Sequence, residues 1–200
     1  MYKRASLIAA MALAAIVPAF AISPVPRPAG EYVIPLPDGT QKLLSSYRGK
    51  VVCLEFVFTT CPHCQHASQV MSKLYTEFGA RGFQPLAVAF NDMAKMLVPD
   101  FVKDFSVNYP VGYTERDQVL NYLGISVLER FVVPQLVWID RKGQIRAQTP
   151  ALGDEKMLGE PYWREMLETL LKEPAAAVHP AKKATHHAAA ASAVAKSSLR

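Results

Sequence analysis

The chain has 200 residues, enough for one domain and cramped for two. Half of them are apolar, a fifth charged and a tenth aromatic, which excludes a wholly disordered chain and a disulfide-stapled mini-protein. The net charge of +5 is an end effect: Lys3, Arg4, Lys182, Lys183, Lys196 and Arg200 lie in end segments without acids, and the middle holds 16 basic against 17 acidic residues. That balance gives no case for nucleic-acid binding.

In chain order, residues 1–21 carry the three parts of a secretory signal. Lys3 and Arg4 precede an Ala-rich apolar run from Ala5 to about Val17, and Ala19-Phe20-Ala21 offers small residues at −3 and −1 of a cleavage site. The competing expectation is an uncleaved membrane anchor, for which the run is borderline in length and contains Pro18. Either way the rest of the chain is expected outside the cytoplasm, periplasmic or otherwise extracytoplasmic, where disulfide chemistry is possible.

Residues 22–173 alternate strands and helices. Tyr32–Leu36 and Gln41–Leu44 flank the turn signal Pro37-Asp38-Gly39 and predict an extended pair. Val51–Phe58 is a continuous apolar run rich in β-branched and aromatic residues, the pattern of a strand buried on both faces. A helix follows from Pro62 to Gly79, with proline at its first position and Ala67, Val70, Met71, Leu74 and Phe78 at helical spacing. Phe83–Phe90 predicts a second buried strand. Asp92 is the expected cap of a helix running to Phe105, which Pro99 should bend or interrupt. Tyr109–Gly112 predicts a short strand and Thr114 or Glu115 the start of a helix to Leu123. Gln135–Asp140 and Gln144–Thr149 around Lys142-Gly143 predict a hairpin, and Glu160–Leu171 a last helix with Trp163, Met166, Leu167 and Leu170 on one face. The fold class is α/β: a mixed central sheet with helices on both faces. From Pro174 to Arg200 the chain is almost wholly Ala, Lys, Ser, His, Val and Pro, too poor in apolar bulk to offset its ordering entropy, so a disordered cationic tail is expected. His179, His186 and His187 there have no fixed geometry for a metal, and no specific metal site is assigned.

Cys61-Pro62-His63-Cys64 carries the chemistry. The two thiols stand three apart where a strand turns into a helix, so they share one face of its first turn, and the free N–H groups there favour a thiolate at Cys61. Such a spacing suits a dithiol that cycles between oxidised and reduced states. A zinc site would want a second Cys or His pair, and none occurs between Ala67 and Val178. His63 can tune Cys61 by a hydrogen bond or a positive charge. His66 reads as helix surface and Cys53 as a small core residue.

The stretch Leu54-Glu55-Phe56 through Cys61-Pro62-His63-Cys64 resembles the active-site segment of the thioredoxin superfamily. Its Cys-Pro-His-Cys is similar to that of the periplasmic disulfide-forming oxidoreductases. The extended N-terminal pair, the Tyr47-Arg48-Gly49-Lys50-Val51-Val52 lead-in and the spacing to Val133-Pro134 resemble the extracytoplasmic thioredoxin-like proteins of the TlpA/ResA type, although Thr60 stands where those usually carry tryptophan. The resemblance implies a single thioredoxin-like domain and a thiol–disulfide oxidoreductase with Cys61 and Cys64 as its redox disulfide. It implies that Glu55, six residues before Cys61, relays protons to and from Cys64, and that a cis Val133–Pro134 bond faces Cys61, with the Val133 backbone receiving substrate. The expected partners are protein thiols or disulfides and a recycling partner, which could sit in the membrane; no organic cofactor is expected, and a monomer is. Two alternatives stay open. A peroxiredoxin-like peroxidase would want threonine where Phe58 stands, and a thioredoxin-fold copper chaperone would want wider cysteine spacing and a distant histidine.

Overall fold

The computed structural model describes residues 24–174; the expected leader and the tail beyond Pro174 lie outside them. A six-stranded mixed sheet runs in the order β1-β8-β7-β4-β5-β6. Its centre is β4 (Val51–Val57), fully buried and parallel to β5 (Phe83–Ala89), which in turn is parallel to β6 (Val111–Tyr113). On the other side of β4 the hairpin β7 (Gln135–Ile139) and β8 (Gln144–Gln148) is antiparallel. Asp140 holds the hairpin turn by accepting bonds from the Lys142 and Gln144 N–H groups at 2.9 Å. The edge is closed by β1 (Arg27–Pro28), two residues long and paired with β8. Nothing local announces β1; two prolines beside it argue for a loop, and only the free edge of β8 makes it a strand.

Residue parity in β4 separates two cores. Val51, Cys53 and Val57 face one side, covered by α1 (Pro62–Phe78), α2 (Ala94–Asp104) and α4 (Glu160–Lys172). Val52, Leu54 and Phe56 face the other, covered by α3 (Arg116–Leu123) and by Tyr32 and Ile34 of the N-terminal segment. The helices lie on both faces, as expected. The N-terminal pair forms as β2 (Val33–Pro35) and β3 (Gln41–Leu43), shorter than the apolar pattern suggested. Glycine at 112 permits this packing: a Cβ there would run into the Ile34 side chain and the Pro35 carbonyl.

Three local expectations change. Asp92 does not cap α2: the helix starts only at Ala94, and Met93, in the left-handed region at φ 59°, stands at its N-cap position between Asp92 and the first turn, with no side-chain cap. Pro99 sits inside α2 without ending it. It is exposed, so the Lys95 carbonyl it leaves unpaired can turn to water. The strand expected at Tyr109 begins only at Val111, and Tyr109 points into the core instead.

Candidate active site

The chain leaves the buried end of β4 at Val57 and turns through Phe58-Thr59-Thr60 into α1. The turn is tied on two sides. Thr59 donates its N–H and hydroxyl to Asn91 Oδ1 at 2.9 and 3.2 Å, and Gln65 Nε2 donates to the Thr59 carbonyl at 2.9 Å. The Cys61 N–H bonds the Phe58 carbonyl at 3.1 Å, and Cys61 occupies the N-cap position with extended dihedrals (φ −87°, ψ 120°), followed by Pro62 at the first helical position. This places Cys61 at the open end of the helix, where the unpaired N–H groups and the dipole favour a negative sulfur. Both cysteines are free thiols.

The pair is asymmetric. Cys61 is partly exposed and Cys64, one turn on, is fully buried in the core of α1. Burial pushes the Cys64 thiol well above the ordinary thiol range, and the charges of Cys61 and Glu55 push the same way, against a hydrogen bond with the Phe58 backbone. Cys53 is also buried with its thiol raised by desolvation and then by Glu55, and it packs as a core residue.

Glu55 shares the parity of Cys53 and Val57, so the pleat sends its carboxyl to the α1 face. The carboxyl is completely buried. Its Oε2 accepts from Ser68 Oγ and from the Tyr109 hydroxyl, each at 3.1 Å. Desolvation pushes Glu55 up to about 7, the two hydrogen bonds opposing. A carboxyl poised there can carry a proton in either direction at neutral pH. The sequence singled out neither Ser68 nor Tyr109. The available signal for Ser68 was a serine on the apolar stripe of α1 four residues after Cys64.

Across the β4–β7 ladder Glu55 opposes Leu136, which sets the segment before β7 beside the start of α1. The Val133–Pro134 bond is cis. Among the described residues the Val133 N–H and carbonyl take part in no hydrogen bond. A groove of about 540 Å³ runs beside them, with Ala67, Val70, Leu158 and Trp163 among its apolar walls and His63, His66, Glu155 and Glu160 among its polar ones. Arg164 holds two of its supports together, bonding Glu160 on α4 at 2.8 Å and Glu77 on α1 at 2.7 Å. His63 and His66 are exposed, and among the described residues His63 makes no hydrogen bond to Cys61; any tuning by it acts through space.

A family model described as Redoxin matches residues 16–156. The chain belongs to the Redoxin family. It is 31% identical over 118 residues to Thiol-disulfide oxidoreductase ResA of Geobacillus thermodenitrificans, covering 59% of this chain and 64% of that one. To the protein of the same name from Bacillus anthracis it is 25% identical over 147 residues, covering 74% and 76%. The match thus spans slightly under two thirds of the first relative's length. A solved thiol:disulfide interchange protein of the thioredoxin family from Chlorobium tepidum superposes with a TM-score of 0.62 at 21% identity, over 73% of this chain and 97% of that one. A thiol:disulfide interchange protein from Bacteroides sp. gives 0.59 at 18%, over 82% and 95%. The fold of this Redoxin member is thioredoxin-like.

Proposed function

We propose that this chain is an extracytoplasmic thiol–disulfide oxidoreductase that exchanges disulfides with protein substrates through Cys61 and Cys64 and works as an oxidant. The observation that carries the reading is the partly exposed Cys61 beside a sealed Cys64 whose thiol feels the charge of a buried carboxyl, Glu55. The names of the curated relatives support the reaction class, and the leader-like residues 1–21 support the location.

In the oxidising direction a client thiolate attacks Cys61 Sγ of the Cys61–Cys64 disulfide. The S–S bond breaks, Cys64 leaves as a thiolate and takes its proton from Glu55, and Cys61 is left in a mixed disulfide with the client. A second client thiolate then attacks the client sulfur of that bond and displaces the Cys61 thiolate. The client has lost two electrons and this chain holds them as a dithiol, until a recycling partner removes them. In reverse, Glu55 takes the Cys64 proton and Cys64 resolves the mixed disulfide. The two sulfurs carry the electrons, so no organic cofactor enters. The unpaired backbone of Val133 gives the client segment a place to pair as an added strand, and the adjoining groove receives its side chains.

The test mixes oxidised protein with a reduced, unfolded protein whose activity requires disulfides. Recovery of that activity, with stoichiometric appearance of the Cys61/Cys64 dithiol, supports the reading. Rapid consumption of hydrogen peroxide without client oxidation, or tight stoichiometric copper(I) binding, overturns it.

A further inference from the structure

Both hydrogen bonds to Glu55 fall on one oxygen. Ser68 Oγ and the Tyr109 hydroxyl each reach Oε2 at 3.1 Å, whereas Oε1 is buried and has no partner among the described residues. The two donors are themselves fixed. Ser68 is fully buried on α1, where its carbonyl accepts from Ser72 Oγ at 2.9 Å, and Tyr109 is buried against the edge of the Tyr75 ring at 6.5 Å. An oxygen already receiving two hydrogens has no lone pair free for a third, so the neutral acid must carry its proton on Oε1.

We propose that Tyr109 and Ser68 are positioning residues of the proton relay: by occupying Oε2 they assign the travelling proton to Oε1 and set the pH at which Glu55 releases it. This rests on the reading of Glu55 as the relay for Cys64. The titratable groups facing Glu55 are Cys53 on its own strand, Cys64 on α1, and Tyr109 ahead of β6. Its partners across β5 and β7, Ala87 and Leu136, do not titrate. Burial and the Glu55 charge keep the Tyr109 hydroxyl protonated well beyond neutral pH, so it acts as a donor throughout. Hydrogen bonds to the charged form favour that form, so each hydroxyl opposes the effect of burial. Without one of them the carboxylate that deprotonates Cys64 forms only at higher pH.

The experiment uses the full chain carrying a mixed disulfide between Cys61 and glutathione. The rate of its resolution by Cys64 is followed from pH 5 to 9, alongside the ¹³C carboxyl resonance of Glu55. Tyr109→Phe and Ser68→Ala should each move both midpoints up by about one pH unit, the size expected for losing one hydrogen bond to a charged group. Thr76→Val, which removes a hydroxyl of the same helix that bonds the Ser72 carbonyl and neither Ser68 nor Glu55, should move neither. In Glu55→Gln, resolution should slow by about 10²-fold and lose its midpoint, and adding Tyr109→Phe should change nothing further. Unmoved midpoints in Tyr109→Phe and Ser68→Ala, with Glu55→Gln still losing its own, overturn the positioning role alone. An equal shift in Thr76→Val overturns it too, as a loosening of the helix. A midpoint that survives in Glu55→Gln overturns the relay and this proposal together. If Tyr109→Phe does not fold, Ser68→Ala decides.

Discussion

Cys61 and Cys64 share the first turn of α1 and meet different surroundings: one sulfur is within reach of solvent and the other is closed into the core beside Ala67 and Met71. A client can therefore touch Cys61 alone. Cys61→Ala and Cys64→Ala should both abolish turnover, but only Cys64→Ala should accumulate long-lived mixed disulfides, visible as client-shifted bands on non-reducing gels. Equal trapping by the two variants would contradict the assigned roles.

Glu55 also makes stability depend on pH. Its folded value, about 7, lies above its value in an unfolded chain. The folded state therefore binds the proton more tightly, and this contribution is fully present below about pH 4.5 and lost as pH rises through 7. Denaturant curves of the reduced protein should show stability falling between pH 5 and 8, by up to about 3 kcal/mol from this group. Glu55→Gln should flatten that slope. A slope unchanged in the variant would assign the dependence to other groups.

The redox direction follows from what stabilises the reduced state. Cys61 stands at a helix N-terminus, worth about 0.3–1 kcal/mol to a thiolate, and exposed His63 follows it in the first turn. A stabilised reduced form makes the disulfide a stronger oxidant. Equilibration with glutathione should place the potential above the roughly −270 mV of thioredoxin, and paired denaturant curves should show the reduced form as the more stable. Replacing His63 by alanine should lower the potential by no more than about 20 mV, the upper bound set by one exposed charge in water. An oxidised form clearly the more stable would make the protein a reductase.

Away from the thiols, Gly112→Ala tests the seat of the N-terminal pair. The added methyl meets the Ile34 side chain and the Pro35 carbonyl, and overpacking of this kind costs about 1–3 kcal/mol. Thermal unfolding should register the loss, with the glutathione equilibrium unchanged because β6 at Gly112 lies on the face opposite Glu55. An unaltered melting temperature would mean that β2 and β3 are not held against β6.

The readable features were those written in local sequence. The apolar run at Val51–Phe58, the helical spacing after Pro62, and Cys61, Cys64 and Glu55 all announce themselves within a few residues. What stayed hidden depends on distant partners. Tyr109 reaches Glu55 across 54 positions and Thr59 reaches Asn91 across 32. No period in the intervening chain encodes either meeting. Tyr109 has the composition of a strand residue and Ser68 looks like a flaw in an apolar stripe. Each acquires meaning only once α1 lies on the sheet. The opposite error, Asp92 as a cap, came from trusting a local rule where the backbone turns left-handed at Met93 and starts the helix one residue later.

The tethering of Thr59 to Asn91 and Gln65 bears on what sets the place of the nucleophile. The turn that carries Cys61 is held by a side chain beyond the end of β5 and by another on the helix that Cys61 opens. The sulfur is therefore aimed by the sheet and by α1 together, and a residue with no redox chemistry of its own, Asn91, shares in presenting it.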